Sequence, residues 1–168
     1  ASMLSKMAEL TGRDSDKARY AQLAERTAEA FNRTYWNEQT GGYAANNQAA
    51  NSFALFLGIV DETRIPRVVK NLADDVEKHD YHLTTGNLCT KYLMEMLTRY
   101  GHAETAYRIA TQTTYPSWGY MLQNGATTLW ERWEYATGDE MNSHNHPMYG
   151  AADAFLYSHI LGIHALEA

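Results

Sequence analysis

The spacing of apolar residues constrains the fold most, because they recur at helical intervals along almost the whole chain. The first clear stripe, within residues 14–36, consists of Leu23, Thr27, Phe31 and Tyr35. Residues 51–60, NSFALFLGIV, are apolar on every side, which is typical of a helix that is buried all round. Residues 61–79 again carry their apolar side chains on one face only, which indicates a half-buried helix.

The same alternation continues in the second half of the chain. Residues 86–101 have a broad apolar face, residues 102–112 are more polar, and residues 150–163 are apolar nearly throughout. Buried and half-buried helices joined by short turns are typical of helical hairpins in a bundle, a solenoid or a toroid. We therefore predict an all-α domain of about three helical hairpins.

A further apolar stripe runs from the first residues of the chain, and it consists of Met3, Leu4, Met7, Ala8 and Leu10. Because the stripe is already in progress at residue 1, we expect this segment to be the end of a longer helix. The chain is then expected to be part of a larger helical domain. The inner apolar helices would be exposed at the edges of such a part, so self-association is also expected.

The composition and net charge of the chain limit the kinds of molecule that it is expected to bind. The chain has 168 residues, 45% of them hydrophobic, and a net charge of -6, which argues against nucleic acid or an anionic membrane as the main partner. No apolar run approaches the length of a membrane span. The single cysteine, Cys89, lies among apolar helix positions and is interpreted as an inert thiol. Nothing in the sequence indicates a cofactor or a cellular compartment.

Helical periodicity lapses between residues 113 and 150, where a long loop precedes the last inner helix. The loop contains four of the tyrosines and three of the four tryptophans of the chain. Long loops on a rigid helical scaffold commonly carry function, and aromatic faces suit the C–H groups of sugars. No glycine-rich phosphate-binding motif is present in it. We therefore predict the functional site in this loop.

Two carboxylates of the segment TTLWERWEYATG, residues 127–138, compete for a catalytic role. Glu131 lies between Trp130 and Arg132, so it could be a general acid or base beside indole rings, or simply the ion-pair partner of Arg132. Glu134 precedes the turn-like sequence YATGDE, which indicates a more solvated position. On this reasoning Glu131 is the preferred catalytic residue.

The segment NSHNHPMYG holds two histidines, His144 and His146. A His-x-His pair can bind a metal ion, but without further ligands at suitable spacing it does not specify a metal site. Hydrogen bonding to a polar ligand and a structural role at the start of the following helix are the other interpretations. We predict no metal.

Three segments together resemble the C-terminal half of the bacterial alpha-L-rhamnosidase catalytic domain, an inverting glycoside hydrolase with an (α/α)6 six-hairpin toroid. These segments are LTTGNLCTKYLMEML (83–97), TQTTYPSWGYMLQNGATTLWERWE (111–134) and MNSHNHPMYGAADAFLYSHILGI (141–163). The resemblance spans essentially the whole chain. It implies a partial toroid and makes residues 1–168 the C-terminal part of that catalytic domain.

The resemblance also implies roles for individual residues. Glu131 corresponds to the general base, His146 and not His144 to a sugar contact, and Trp118 and Trp133 to walls of the sugar pocket. The family's general acid lies in an acidic motif of the N-terminal half, and no equivalent of that motif occurs here. An inverting hydrolase needs two carboxyl groups roughly 6.5–9.5 Å apart on opposite sides of the sugar, which neighbours such as Glu131 and Glu134 cannot easily provide.

The expected function is therefore inverting hydrolysis of terminal alpha-L-rhamnose from plant glycosides or polysaccharides. The expected partners are a rhamnose-containing saccharide and the missing N-terminal half of the domain, without which the chain would be inactive. Two alternatives remain open from the sequence. One is a different six-hairpin glycosidase, because a fold does not select a substrate. The other is a non-catalytic helical module that binds carbohydrate or another protein.

Overall fold

A computed structural model describes residues 1–138 and 143–164, and within these ranges the chain is mainly helical. The helices are α1 (Ser2–Leu10), α2 (Asp14–Tyr35), α3 (Gln48–Phe56), α4 (Ile65–Lys78), α5 (Thr90–Arg99), α6 (Ala103–Ala110), α7 (Trp118–Gln123) and α8 (Ala152–Phe155). A 3₁₀ turn (Met148–Ala151) leads into α8, and a π-helical turn (Leu156–Ile160) continues it. The prediction of an all-α domain is confirmed.

The core lies between an inner row of helices and the helices that cover it. Helix α3 packs against α5, and α5 packs against α8, while α4 and α6 flank this row. Each covering helix presents its apolar face inward, as Val68, Leu72 and Val76 of α4 show by being fully buried. Consecutive helices α1 and α2, α3 and α4, and α5 and α6 are in contact, which agrees with the predicted hairpins.

A short antiparallel β-hairpin, β1 (Trp36–Asn37) and β2 (Gly42–Tyr43), connects α2 to α3. Its turn is fastened to α4, because Arg67 donates a hydrogen bond to the Gln39 carbonyl at 2.8 Å. Gly41 has a φ of +70° and leaves no room for a side chain, since a Cβ there would lie 1.8 Å from Arg67 Nε. Tyr43 of β2 is fully buried, and its N–H donates to Asn51 Oδ1 of α3 at 3.0 Å.

A buried glutamine fixes the turn that precedes α5. Gln48 is fully buried at the start of α3, and its amide donates to the His82 carbonyl at 3.0 Å and accepts from the Thr84 N–H at 2.9 Å. The Thr85 and Thr90 hydroxyl groups are hydrogen-bonded to each other at 2.8 Å across the start of α5. These contacts give the turn a defined position beneath the aromatic loop.

The two ends of the described chain leave apolar side chains exposed. Of the apolar stripe of α1, only Ala8 is buried, whereas Met3 is 81% and Leu10 79% exposed. The last helix, expected to be an inner one, buries Phe155 but leaves Leu156 and Ile160 exposed. Such exposure agrees with the expectation that apolar helices are exposed at the edges of a partial domain. None of the described helices is both long and apolar enough to cross a membrane.

We expect Leu72→Ala to lower the free energy of unfolding by about 2–5 kcal/mol, because it opens a cavity between α4 and the inner row. Urea unfolding followed by circular dichroism measures the change. Leu122→Ala is the matched control, since Leu122 is 70% exposed and its truncation should change stability by less than about 0.5 kcal/mol. Equal losses in the two variants would contradict the described core.

Candidate active site in the aromatic loop

The aromatic loop is organised by α7, a short helix that the sequence did not lead us to expect. Ser117 caps it, because its fully buried side chain accepts a hydrogen bond from the Tyr120 N–H at 2.9 Å. Serine immediately before an apolar run is an ordinary start signal for a helix, so the signal was present in the sequence. Helix α7 places Trp118 at the edge of the core.

Trp133 anchors the loop to the helical scaffold. Its indole N–H donates to the Thr85 carbonyl at 3.0 Å, and its ring lies 3.8 Å from that of Tyr149. Trp118 meets Trp133 edge to face at 5.3 Å and donates its own indole N–H to the Tyr149 carbonyl at 3.1 Å. Only 7% of Trp133 is exposed, whereas Trp118 is half-buried. Trp118 is thus the better placed of the two to meet a ligand.

Glu131 and His146 lie on two segments that run side by side. The Glu131 N–H donates to the Ser143 carbonyl at 2.9 Å, and the His146 N–H donates to the Leu129 carbonyl at 2.8 Å. The Glu131 carboxylate in turn accepts the Ser143 N–H through Oε2 at 2.9 Å. The structure therefore places the segments that carry the predicted base and the predicted sugar contact side by side.

The contacts of Glu131 bear on its interpretation as an ion-pair partner. Among residues 1–138 and 143–164, the salt bridges include neither Glu131 nor Arg132. The recorded partner of the half-buried carboxylate is a backbone N–H. Such a donor orients a carboxylate without neutralising its charge, which leaves it able to accept a proton.

Glu134 lies in a different environment, close to two phenols. Burial raises the pKa of Tyr149 to about 12, and the negative charge of Glu134 adds to this effect. Burial likewise raises the pKa of Tyr115, and Glu134 again contributes through its charge and a hydrogen bond. Glu134 itself is exposed. The two carboxylates, three positions apart, therefore have separate sets of neighbours.

The two histidines also differ in their contacts. The His144 ring stacks on Trp130 at 4.7 Å with 19° between the planes. His146 Nδ1 accepts a 3.4 Å hydrogen bond from the Met148 N–H, which leaves the proton of the neutral ring on Nε2. Within the described ranges, no three His, Cys, Asp or Glu side chains lie together as a metal site would require.

Two small apolar cavities flank the tryptophan cluster and share Trp118 and Leu129 in their walls. Their volumes are about 220 and 260 Å³, and neither is lined by Glu131. Part of the predicted site lies outside the described residues, because the turn expected at 135–140 and the start of the MNSHNH motif include residues 139–142.

Comparison with known proteins gives a consistent family assignment. Residues 1–160 match the model of the bacterial alpha-L-rhamnosidase 6 hairpin glycosidase domain. An alpha-L-rhamnosidase of Streptomyces avermitilis is 36% identical over 169 residues, which cover 97% of this chain and 16% of that protein. The chain thus spans about a sixth of the length of this relative.

Solved structures show the same arrangement of helices. An alpha-L-rhamnosidase from Dictyoglumus thermophilum superposes with a TM-score of 0.88 at 46% identity, covering 93% of this chain and 18% of that one. A Streptomyces avermitilis alpha-L-rhamnosidase complexed with L-rhamnose gives a TM-score of 0.90 at 35% identity, covering 98% and 16%. The prediction of a partial six-hairpin fold is confirmed by these similarities.

We expect Tyr149→Phe to remove part of the alkaline destabilisation of the chain. Because the pKa of Tyr149 is raised from 10.0 to about 12, its contribution to stability is complete below pH 10 and is lost as the pH rises through 12. That contribution is about 2–3 kcal/mol. Urea unfolding between pH 8 and pH 11 measures about the first half of this loss, and an unchanged pH dependence in the variant would contradict the burial of this phenol.

Proposed function

The chain belongs to the bacterial alpha-L-rhamnosidase six-hairpin glycosidase family, and on this premise we propose that it carries the general base of an inverting alpha-L-rhamnosidase. The base is Glu131. The observation that carries this assignment is the hydrogen bond from the Ser143 N–H to Glu131 Oε2, which orients a carboxylate that no described cation neutralises.

In the proposed reaction, Glu131 accepts a proton from a water molecule as that water attacks the anomeric carbon. The bond from this carbon to the leaving oxygen breaks at the same time, so the configuration inverts. The leaving oxygen needs a proton from an acid on the opposite side of the sugar, roughly 6.5–9.5 Å from the base. Glu134 faces Tyr115 and Tyr149 and follows Glu131 too closely in the chain to supply it.

The general acid is therefore proposed to lie outside residues 1–168, in the N-terminal half of the same catalytic domain. The small share of each relative that this chain covers, 16% and 18%, supports this arrangement. Residues 1–168 would then be the C-terminal part of the domain and inactive alone. Self-association of the separate chain, through the exposed apolar side chains at its two ends, stays a prediction.

The proposed substrate is a glycoside or polysaccharide with terminal alpha-L-rhamnose. The complex of the Streptomyces avermitilis relative with L-rhamnose supports this choice. His146 is proposed to contact a sugar hydroxyl through Nε2, the nitrogen that the Met148 N–H leaves free. Trp118 and Trp133 are proposed as walls of the sugar pocket. With its 7% exposure, Trp133 would contribute mainly by holding Trp118 and Tyr149 in place.

We expect Glu131→Gln in the full-length enzyme to lower kcat for an aryl rhamnoside by about 10²–10⁴-fold with little change in KM. The amide preserves the shape of the side chain but cannot accept the proton from water. Steady-state kinetics with an aryl rhamnoside measures the effect.

Glu134→Gln is the matched control, because it makes the same chemical change three residues away. A large loss of kcat from this variant, together with a small loss from Glu131→Gln, would reverse the two assignments.

We expect His146→Ala in the full-length enzyme to weaken rhamnose binding by about 1–3 kcal/mol, the value of one buried hydrogen bond. His144→Ala should weaken it much less, because its ring stacks on Trp130 and its hydrogen-bonding carbonyl belongs to the backbone. Calorimetry of the two variants, with and without a chelator, distinguishes the cases. Equal losses that chelation reproduces would favour a metal site over the sugar contact.

A further inference from the structure

The segment of residues 82–86, between α4 and α5, belongs to no helix or strand. Such a segment takes its position from the groups that satisfy its backbone N–H and C=O groups. Two of these partners come from one side chain, because Gln48 donates to the His82 carbonyl at 3.0 Å and accepts from the Thr84 N–H at 2.9 Å. The first residue of α3 therefore helps to determine where residues 82–86 lie.

The Gln48 amide is held in a defined place. The side chain is fully buried, so both of its hydrogen bonds are costly to lose, since a buried polar group without a partner is unfavourable. The first turn of α3 is itself fixed, because Asn47 caps the helix by accepting the Ala50 N–H at 3.0 Å. A fixed helix end thus presents a fixed amide to residues 82–86.

Residues 82–86 are joined to the aromatic loop through one main-chain oxygen. The Thr85 carbonyl accepts the Trp133 indole N–H at 3.0 Å, and both residues are buried. A hydrogen bond in such surroundings is stronger than in water, and it weakens steeply when its geometry is distorted. A shift of residues 82–86 is therefore expected to move the Trp133 indole as well.

Trp133 is the link between Glu131 and the helical scaffold. Residues 131–134 lie in bends and not in a helix or strand, so their side-chain contacts determine their position. Trp130 stacks on His144 at 4.7 Å and lies 5.2 Å from Tyr135, and both partners belong to the same loop. That contact joins the loop to itself, whereas the Trp133 indole joins it to the segment before α5.

We propose that Gln48 is a positioning residue for the general base. It sets the place of residues 82–86, and the Thr85 carbonyl then holds the Trp133 indole. The indole in turn holds the Glu131 carboxylate where it accepts the proton of the attacking water. This inference rests on the proposed function and deepens it, because it names a residue on which the position of the base depends. A displacement of about 1 Å can lower a rate by about 100-fold, so a distant positioning residue is expected to matter.

We expect Gln48→Met in the full-length enzyme to lower kcat for an aryl rhamnoside by about 10–100-fold. Methionine has a similar length, but it cannot donate to the His82 carbonyl and is at best a weak acceptor for the Thr84 N–H. Residues 82–86 then shift until these two groups find water. Steady-state kinetics measures the loss.

Gln112→Met is the matched control, because Gln112 also donates to a carbonyl of the turn before α5, that of Asp80, at 2.8 Å. This bond lies before residues 82–86, and the Gln112 side chain is only half-buried. Its loss should therefore change kcat by less than about twofold. Circular dichroism of both variants checks that the fold is kept. Equal losses of kcat in the two variants would contradict a specific role of Gln48.

A double-mutant cycle with Glu131→Gln distinguishes positioning of the base from a general structural effect. If Gln48 acts through the base, Gln48→Met should change the residual kcat of Glu131→Gln by less than about twofold, because no base remains to be displaced. A loss of the same size in both backgrounds would overturn the inference, since Gln48 would then support the site as a whole.

Hydrogen exchange followed by mass spectrometry tests the same contacts without turnover. In full-length Gln48→Met we expect peptides of residues 82–90 and 127–134 to exchange at least about fivefold faster, the factor that corresponds to one lost hydrogen bond. Peptides of α6 should exchange as in the unchanged protein. Unchanged exchange of residues 127–134 in the folded variant would overturn the inference.

A second variant covers the case in which Gln48→Met does not fold. Trp133→Phe keeps an aromatic ring but removes the N–H that is donated to Thr85, so it breaks the next contact toward Glu131. It should give the same loss of kcat and the same faster exchange of residues 127–134, and the absence of both would overturn the inference. In either variant, faster exchange with unchanged kcat would support the positioning of Glu131 and count against the proposed function alone.

Discussion

The hydrogen bond from the Trp133 indole to the Thr85 carbonyl is the contact on which the candidate site depends. It joins the long aromatic loop to the turn before α5, and that turn is itself fixed by Gln48. Tyr149 and Trp118 then pack on the anchored indole. Since Glu131 is only two residues before Trp133, its position relative to the inner helices follows from the same anchor.

The anchor also explains how two acidic residues so close in sequence acquire different neighbours. On one side of Trp133, Glu131 meets the backbone of Ser143. On the other side, Glu134 meets the phenols of Tyr115 and Tyr149 and raises their pKa values. A carboxylate oriented by one amide suits proton transfer, whereas a carboxylate beside phenols suits hydrogen bonding to hydroxyl groups. The protein backbone, not the residue type, separates the two environments.

Much of the helical fold could be predicted from the sequence, because apolar spacing identifies each helix and its inner face. Such spacing does not identify what covers that face, so it does not distinguish the buried stripe of α4 from the half-exposed stripe of α2. The pairing of the segments that carry Glu131 and His146 could not be predicted in the same way, since periodicity gives no information about two loop segments. The burial of Trp133 was missed for a similar reason: its partner Thr85 is 48 residues away.

The Gln48 side chain takes the place of a backbone partner for the turn before α5. Its side-chain amide donates to one backbone carbonyl and accepts from one backbone N–H, which is what a peptide group of a neighbouring strand would do. The turn at 82–84 is therefore paired like the edge of a sheet, with a side chain in place of the second strand. A carboxylate of the same length could accept from Thr84, but it would set a negative charge against the His82 carbonyl. An amide side chain therefore suits position 48, because it can both donate and accept a hydrogen bond as a main-chain peptide group does.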